Sequence, residues 1–148
     1  MKKLLVFLIL GIVTISCQAE EIDDRQVLQV TAVQRGHILS EMRTLLSGTQ
    51  AILIALAKED MVAVSRHAKA LGMGMARKAE NSLKGTLPKA FMQLGMAAHQ
   101  DFDQIAADAE SIHDPKHTLR QLSQSMGKCI VCHESYQIST LKSPQCAK

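Results

Sequence analysis

Five consecutive residues near the end of the chain have types and a spacing that suit one particular chemistry. The run is Cys129-Ile130-Val131-Cys132-His133, which is the attachment signature of c-type haem. On a helix, at about 100° per residue, the two thiols and the imidazole share one face. Cys129 and Cys132 can then form thioethers to one porphyrin while His133 binds the iron as proximal ligand. The motif therefore predicts one covalently attached haem c.

Two other uses of these cysteines are weaker alternatives. A thiol redox pair needs a strand–turn–helix context, and no strand pattern leads into the motif. A zinc site could use Cys129, Cys132 and Cys146, but the sequence lacks the second regularly spaced ligand pair that is typical of zinc signatures. An exported helical protein with a non-haem CxxC redox or metal site is thus the minor alternative.

The N-terminus predicts export. Lys2 and Lys3 precede the apolar run Leu4–Ile15, which has the length of a signal-peptide core and is shorter than the roughly 20 residues that span a membrane. We expect cleavage after Ala19, giving a signal peptide over residues 1–19 and a single mature domain over residues 20–148. A periplasmic location follows. Lipid attachment at Cys17 is less favoured, because the residues before it fit a lipoprotein box poorly.

Charge and motif content restrict the partners. Without the two signal-peptide lysines, 15 Lys and Arg face 14 Asp and Glu, and no basic run argues for nucleic acid. No nucleophile–base pair, phosphate loop or pair of catalytic carboxylates is recognisable, so we expect an electron carrier rather than an enzyme. Cys146 is left as a free thiol or as a partner in an intermolecular disulfide.

The last segment of the chain shows the helical period, with apolar residues every three or four positions. Asp114 suits an N-cap and Pro115 a first helical residue. The predicted haem residues fall on the apolar stripe of this helix, which comprises Leu119, Leu122, Met126, Cys129, His133 and Tyr136. We therefore expect them to face the interior of a helical bundle.

Three further helical segments precede this one. The first spans residues 28–56, the second opens at Asp60 and the third starts around Pro88. Short connections make sequence neighbours antiparallel, and they fall near residues 58–60, 80–87 and 112–114. We predict an all-α, antiparallel up-down-up-down four-helix bundle with the haem motif on its C-terminal helix.

This arrangement resembles the class II c-type cytochromes, the cytochrome c prime group and its low-spin relatives. The resemblance covers about residues 22–140, and its most specific part is Cys129–Tyr136. It implies a distal position on the first helix, where methionine suggests a six-coordinate electron carrier and leucine a five-coordinate, gas-binding protein. Some relatives pair through their first two helices, so a homodimer stays open. Gln137 departs from the pattern, since gas-binding members commonly have a basic residue there.

The distal position has two candidates on one helical stripe. Counting four residues from Arg35, taken as the family's first-helix arginine, gives Leu39, whereas counting back from the turn at 58–60 gives Met42. Met42 as axial ligand would give low-spin iron with a raised potential. Leu39 as a non-ligating cap would leave an open face for NO or CO. Arg35 either pairs with a haem propionate or extends to solvent.

The leading hypothesis is a periplasmic monohaem cytochrome that carries single electrons between redox partner proteins, with His133 and Met42 as axial ligands. A five-coordinate protein that binds NO or CO beneath Leu39 is the alternative. His99 lies near the apolar seam of the third helix, and we expect it to be a hydrogen-bonded interior histidine rather than a haem ligand.

Overall fold

The fold comes from a computed structural model, which describes residues 23–83 and 85–141. The predicted signal peptide, Cys17 and Cys146 lie outside the described residues. The chain is mostly helical with a small two-stranded sheet, and none of the described helices is long and apolar enough to cross a membrane. In chain order the elements are β1 (Gln26–Val30), α1 (Ala32–Leu56), α2 (Met61–Leu71), α3 (Met73–Leu83), α4 (Lys89–Ser111), α5 (Pro115–Ser135) and β2 (Tyr136–Thr140).

The predicted starts of the second and the last helix are confirmed. The Asp60 side chain accepts a hydrogen bond from the Ala63 amide at 2.9 Å and caps α2. Asp114 caps α5 in the same way, accepting from the Lys116 amide at 2.8 Å, and Pro115 is the first helical residue. These caps satisfy amides that have no partner inside the helix. Because the capping residue is close in sequence to those amides, such caps can be predicted from sequence.

The sequence predicted one continuous second helix, but the segment breaks at Gly72 into α2 and α3. The Met73 amide donates to the Asp103 carboxylate of α4 at 3.0 Å, so this side chain caps the new helix. A Cβ atom on residue 72 would lie 1.7 Å from the Asp103 Oδ1 atom. The Asp103 cap therefore leaves no room for a Cβ atom at the break unless this side chain moves. The apolar period continues through the break without interruption.

Both ends of the described chain form strands where helix was predicted. β1 and β2 pair in parallel, with Gln26 opposite Tyr136 and Val30 opposite Thr140. Leu28, assigned to the first helix, is in β1, and Tyr136, assigned to the last, begins β2. Buried Leu28 and Val30 alternate with exposed neighbours, a period of two that five residues are too few to reveal. The sheet joins the residues before α1 to those after α5.

The helices pack as a chain of neighbours, with α1 on α2, α2 on α4 and α4 on α5, whereas α1 and α5 have little direct contact over the described residues. The main core lies where the C-terminal halves of α1 and α4 meet α2 and the start of α5. Its most deeply buried members are Ile52, Val64, Ala68, Leu71, Phe102, Ile105, Ala109 and Leu122. A smaller cluster near the sheet contains Val30, Ile38 and Leu83, with Met42, Leu87 and Ile138 packed against it.

Candidate haem site

A large cavity occupies the end of the molecule away from the main core. Its volume is about 560 Å³, within the range of roughly 300–1,000 Å³ that is usual for ligand and cofactor sites. The N-terminal halves of α1 and α4, the C-terminal half of α5, α3 and β2 all contribute side chains. Its walls are largely apolar and include Ile38, Leu45, Leu46, Met73, Leu83, Phe91, Met92, Leu94, Met96, Phe102, Met126 and Ile138.

The three predicted attachment residues line this cavity together. Cys129, Cys132 and His133 all lie in the last two turns of α5, which keeps them on one side of the helix. Both cysteines are free thiols, and the Cys129 thiol donates to the Ser125 carbonyl at 3.8 Å. The motif is therefore helical, as the sequence analysis assumed, and its side chains border a common space. The expectation that they face a bundle interior is met only in part, because Cys132 is half-buried whereas Cys129 and His133 are exposed.

The surroundings of the two thiols do not activate them. Burial raises the pKa of Cys129, with a further contribution from the Asp101 carboxylate, and burial also raises the pKa of Cys132. Both sit near the C-terminal end of α5, where the helix dipole disfavours an anion. Reactive redox thiols need the opposite, a lowered pKa at a helix N-terminus or beside a cation.

The end of α5 is hydrogen-bonded to the residue just before β1. The Arg25 guanidinium donates to the His133 carbonyl at 3.3 Å, and the Gln137 amide donates to the Arg25 carbonyl at 3.4 Å. Arg25 also pairs with Asp23 at 2.6 Å. Gln137 stands where gas-binding members of the resembled family commonly have a basic residue. Here its side chain contacts the backbone just before β1.

Both distal candidates line the cavity. Leu39 and Met42 are half-buried on the same side of α1, and Met42 also packs against the smaller apolar cluster of Val30, Ile38 and Leu83. Their roles therefore stay predictions. The periodicity of the first helix could not indicate four more methionines that line the cavity, because they lie in other helices. They are Met73, Met92, Met96 and Met126.

Arg35 does not lie with the other predicted residues. Its side chain is exposed, and it is not among the described residues that line the cavity. This position suits the solvent-facing alternative. Two other cationic side chains do line the cavity. One is Arg43, eight residues after Arg35 in α1, and the other is Lys128, which pairs with Asp101 on α4. Sequence reasoning gave no role to Arg43.

His99 is a buried, hydrogen-bonded histidine, as expected. Its Nδ1 atom lies 2.5 Å from the Leu71 carbonyl oxygen and its Nε2 atom lies 3.2 Å from Glu41 Oε1. Burial of the ring lowers the pKa of His99, but the hydrogen bonds to Glu41 and Leu71 outweigh it and raise the pKa overall. Glu41 went unnoticed in the sequence, although it is an acidic residue three positions after Ile38 and four before Leu45 on an apolar stripe.

A buried hydroxyl bears on what this space can hold. Ser125 is 1 % exposed and lines the cavity, and its hydroxyl oxygen has no hydrogen-bond partner among the described residues. Buried polar atoms are normally satisfied, so this one favours a cavity that accommodates a ligand. Together with apolar walls, two thiols and an imidazole, the donor set fits a c-type haem. No group of three or more His, Cys, Asp or Glu in the described parts of the chain is arranged to hold a metal ion directly.

The chain has no match among protein-family models, curated proteins or solved structures. The motif and the cavity are therefore the features of this chain that indicate a function.

Proposed function

We propose that the protein is an exported, periplasmic monohaem c-type cytochrome of the class II type that carries single electrons between redox partners. The observation that carries this proposal is the convergence of Cys129, Cys132 and His133 on one apolar cavity of about 560 Å³. Three residues chosen from sequence for one chemistry face a space of suitable size.

Each part of the site has a role in holding the cofactor. Cys129 and Cys132 would anchor the haem through thioethers, and His133 would bind its iron. When bound, haem c supplies a reversible one-electron change at iron. The apolar walls would limit the access of water to a bound haem, and such exclusion tunes the reduction potential. Phe91 and Tyr136, edge to face with ring centres 5.3 Å apart, stiffen the wall beside the motif.

The antiparallel four-helix arrangement is part of this proposal. The α1 lining residues lie between 38 and 49 and those of α4 between 91 and 102, together with the C-terminal half of α5. The ends of α1 and α4 that follow and the first half of α5 contribute to the main core, and Phe102 belongs to both. This distribution supports an up-down-up-down bundle in which α2 and α3 together make the second arm. Such a bundle encloses cofactors between facing helices.

We propose His133 and Met42 as the axial pair. Met42 lines the cavity, and a thioether opposite imidazole raises the potential of the iron. One observation favours the second candidate, a five-coordinate protein that binds NO or CO: Met42 packs against the small cluster of Val30, Ile38 and Leu83 as an ordinary core methionine would. Leu39 would then cap an open face.

The alternative of a thiol redox site has less support. The raised pKa of each thiol and the position of the motif at a helix C-terminus both disfavour the thiolate that such chemistry needs.

The test is to express the full chain with a haem-maturation system and denature the purified protein. Haem that stays with the denatured polypeptide in the wild type, and is lost when Cys129 and Cys132 are both changed to Ala, supports the proposal. A wild-type protein without covalent haem would refute it. Ferric, ferrous and ferrous-plus-CO absorption spectra then separate the two ligation states. A low-spin spectrum with slow CO binding supports Met42, and a high-spin spectrum with immediate CO uptake supports the gas-binding candidate.

A further inference from the structure

A buried ion pair crosses the candidate site and has no role in the function proposed above. Glu41 of α1 and His99 of α4 both line the cavity, 3.2 Å apart, with side chains only 13 % and 5 % exposed. A buried polar pair is costly unless its geometry is well satisfied. Its presence among apolar walls calls for an explanation other than stability.

The histidine of this pair is anchored on its far side. The second ring nitrogen of His99 donates to the Leu71 carbonyl, at the end of α2, and Asp103, one turn along α4, accepts from the Met73 amide at the start of α3. These two side chains of α4 therefore bond the backbone on either side of the Gly72 break. With its ring fixed in this way, His99 presents its Nε2 atom to α1 in one direction.

Glu41 lies between the two distal candidates in the chain. Each residue turns a helix by about 100°, so Leu39 and Met42 are separated by only about 60° around the α1 axis. Both line the cavity, and a rotation of that size would exchange the one that points to its centre. The half of α1 that carries them borders the cavity, and α1 has little contact with α5 across it. A directional bond from His99 to Glu41 is therefore well placed to set the rotation of this half.

We propose that the Glu41–His99 pair positions α1 and thereby determines whether Leu39 or Met42 faces the haem; this inference rests on the proposed haem function. The two residues act through α1 and do not bind the iron.

Two substitutions of His99 separate its two bonds. His99→Asn leaves an amide near the position of Nδ1, which keeps the bond to Leu71, but its side chain is too short to reach Glu41. His99→Gln places an amide near the position of Nε2, which keeps the bond to Glu41 and loses the one to Leu71. Glu41→Ala removes the pair from the other side. Glu41→Gln retains an acceptor for Nε2–H.

The matched control is the second histidine–carboxylate pair of the chain. His117 lies 3.0 Å from Asp108, and neither residue lines the cavity. His117→Asn therefore removes a pair of the same chemistry without a contact to the distal face. We expect its ferrous spectrum and CO association rate to equal those of the wild type.

The measurements are the ferric and ferrous absorption spectra and the CO association rate of each holoprotein. We expect His99→Asn and Glu41→Ala to change the spin-state signature and to shift the CO rate by about tenfold. His99→Gln and Glu41→Gln should keep the wild-type behaviour. The double variant Glu41→Ala with His99→Asn should shift no further than either single one, because both remove the same contact.

Wild-type spectra and CO rates in His99→Asn and Glu41→Ala would overturn the inference, as would equal changes in His99→Gln and His99→Asn. If the His99 variants do not fold, the contrast between Glu41→Gln and Glu41→Ala decides alone, equal behaviour of the two counting against the pair. Failure of the proposed function is a separate result, since it appears in the wild type as an absence of covalent haem.

Discussion

The two ends of this helical body use the same helices for different purposes. At one end the C-terminal halves of α1 and α4 close around Ile52 and Ile105, both fully buried. At the other end the preceding halves of the same helices leave Leu39 and Met42 only half-buried around a cavity of about 560 Å³. Close packing stabilises the first end. We expect the stability of the second end to depend on what fills the space, as it would in a binding site.

The largest effect on stability should come from truncating the packed end. Leu122 is 1 % exposed in the main core, and Leu122→Ala should lower the free energy of unfolding by about 2–5 kcal/mol, through lost transfer energy and a new cavity. The matched change at the other end is Leu39→Ala, which removes the same atoms from a wall that is already open. Chemical denaturation of both variants without haem measures the contrast. Equal losses would contradict the division into two ends.

A methionine exchange at the cavity should change the haem absorption spectrum more than the free energy of unfolding. Met42→Leu conserves volume, so we expect an unfolding penalty below about 1.5 kcal/mol. If Met42 binds the iron, the same change should turn the haem high-spin, lower its potential and speed CO binding. Met75→Leu is the control, because Met75 packs against the main core. An unchanged spectrum in Met42→Leu would assign Met42 to packing and favour the gas-binding candidate.

How much the sequence predicted follows the range of the interactions involved. Asp60 and Asp114 bond amides two or three residues away, so both helix starts were predicted correctly. The Gly72 break depends on Asp103, 31 positions further along the chain, and the pairing of Gln26 with Tyr136 joins opposite ends of it. Such contacts leave little local pattern, and for that reason the break and both strands were missed.

The candidate site divides in the same way. Cys129, Cys132 and His133 could be predicted from sequence because covalent haem attachment would need a fixed local spacing. Glu41 and His99 meet only because α1 and α4 are neighbours, so their pairing has no sequence signature. The choice between two distal residues on one helical stripe is likewise a matter of helix rotation, which periodicity alone does not determine.

The Gly72 break should tolerate substitution at a moderate cost. Gly72→Ala places a methyl group against the Asp103 carboxylate, which must move and release the Met73 amide. Loss of that cap should destabilise the protein by about 0.5–2 kcal/mol. Asp103→Asn keeps an acceptor for the amide and should cost less. Amide hydrogen exchange at the start of α3 checks this, since Gly72→Ala should speed exchange there and leave the α5 start at Asp114 unchanged.

The smallest expected effect lies at the packed end and concerns pH. Hydrogen bonds from His117, and also from Gln104 and Gln121, lower the pKa of the Asp108 carboxyl. A lowered folded-state pKa means that the contribution is present above the unfolded value of about 3.9 and is lost as pH falls through the folded value. Asp108→Asn should thus cost about 0.2–1 kcal/mol at neutral pH and less at acid pH.

Denaturation across that pH range should therefore show the stabilities of the variant and the wild type converging as pH falls. The spectrum of a bound haem, being at the other end of the molecule, should not respond to the substitution. A constant gap between the two proteins at all pH values would show that the carboxylate contributes through its shape and not its charge.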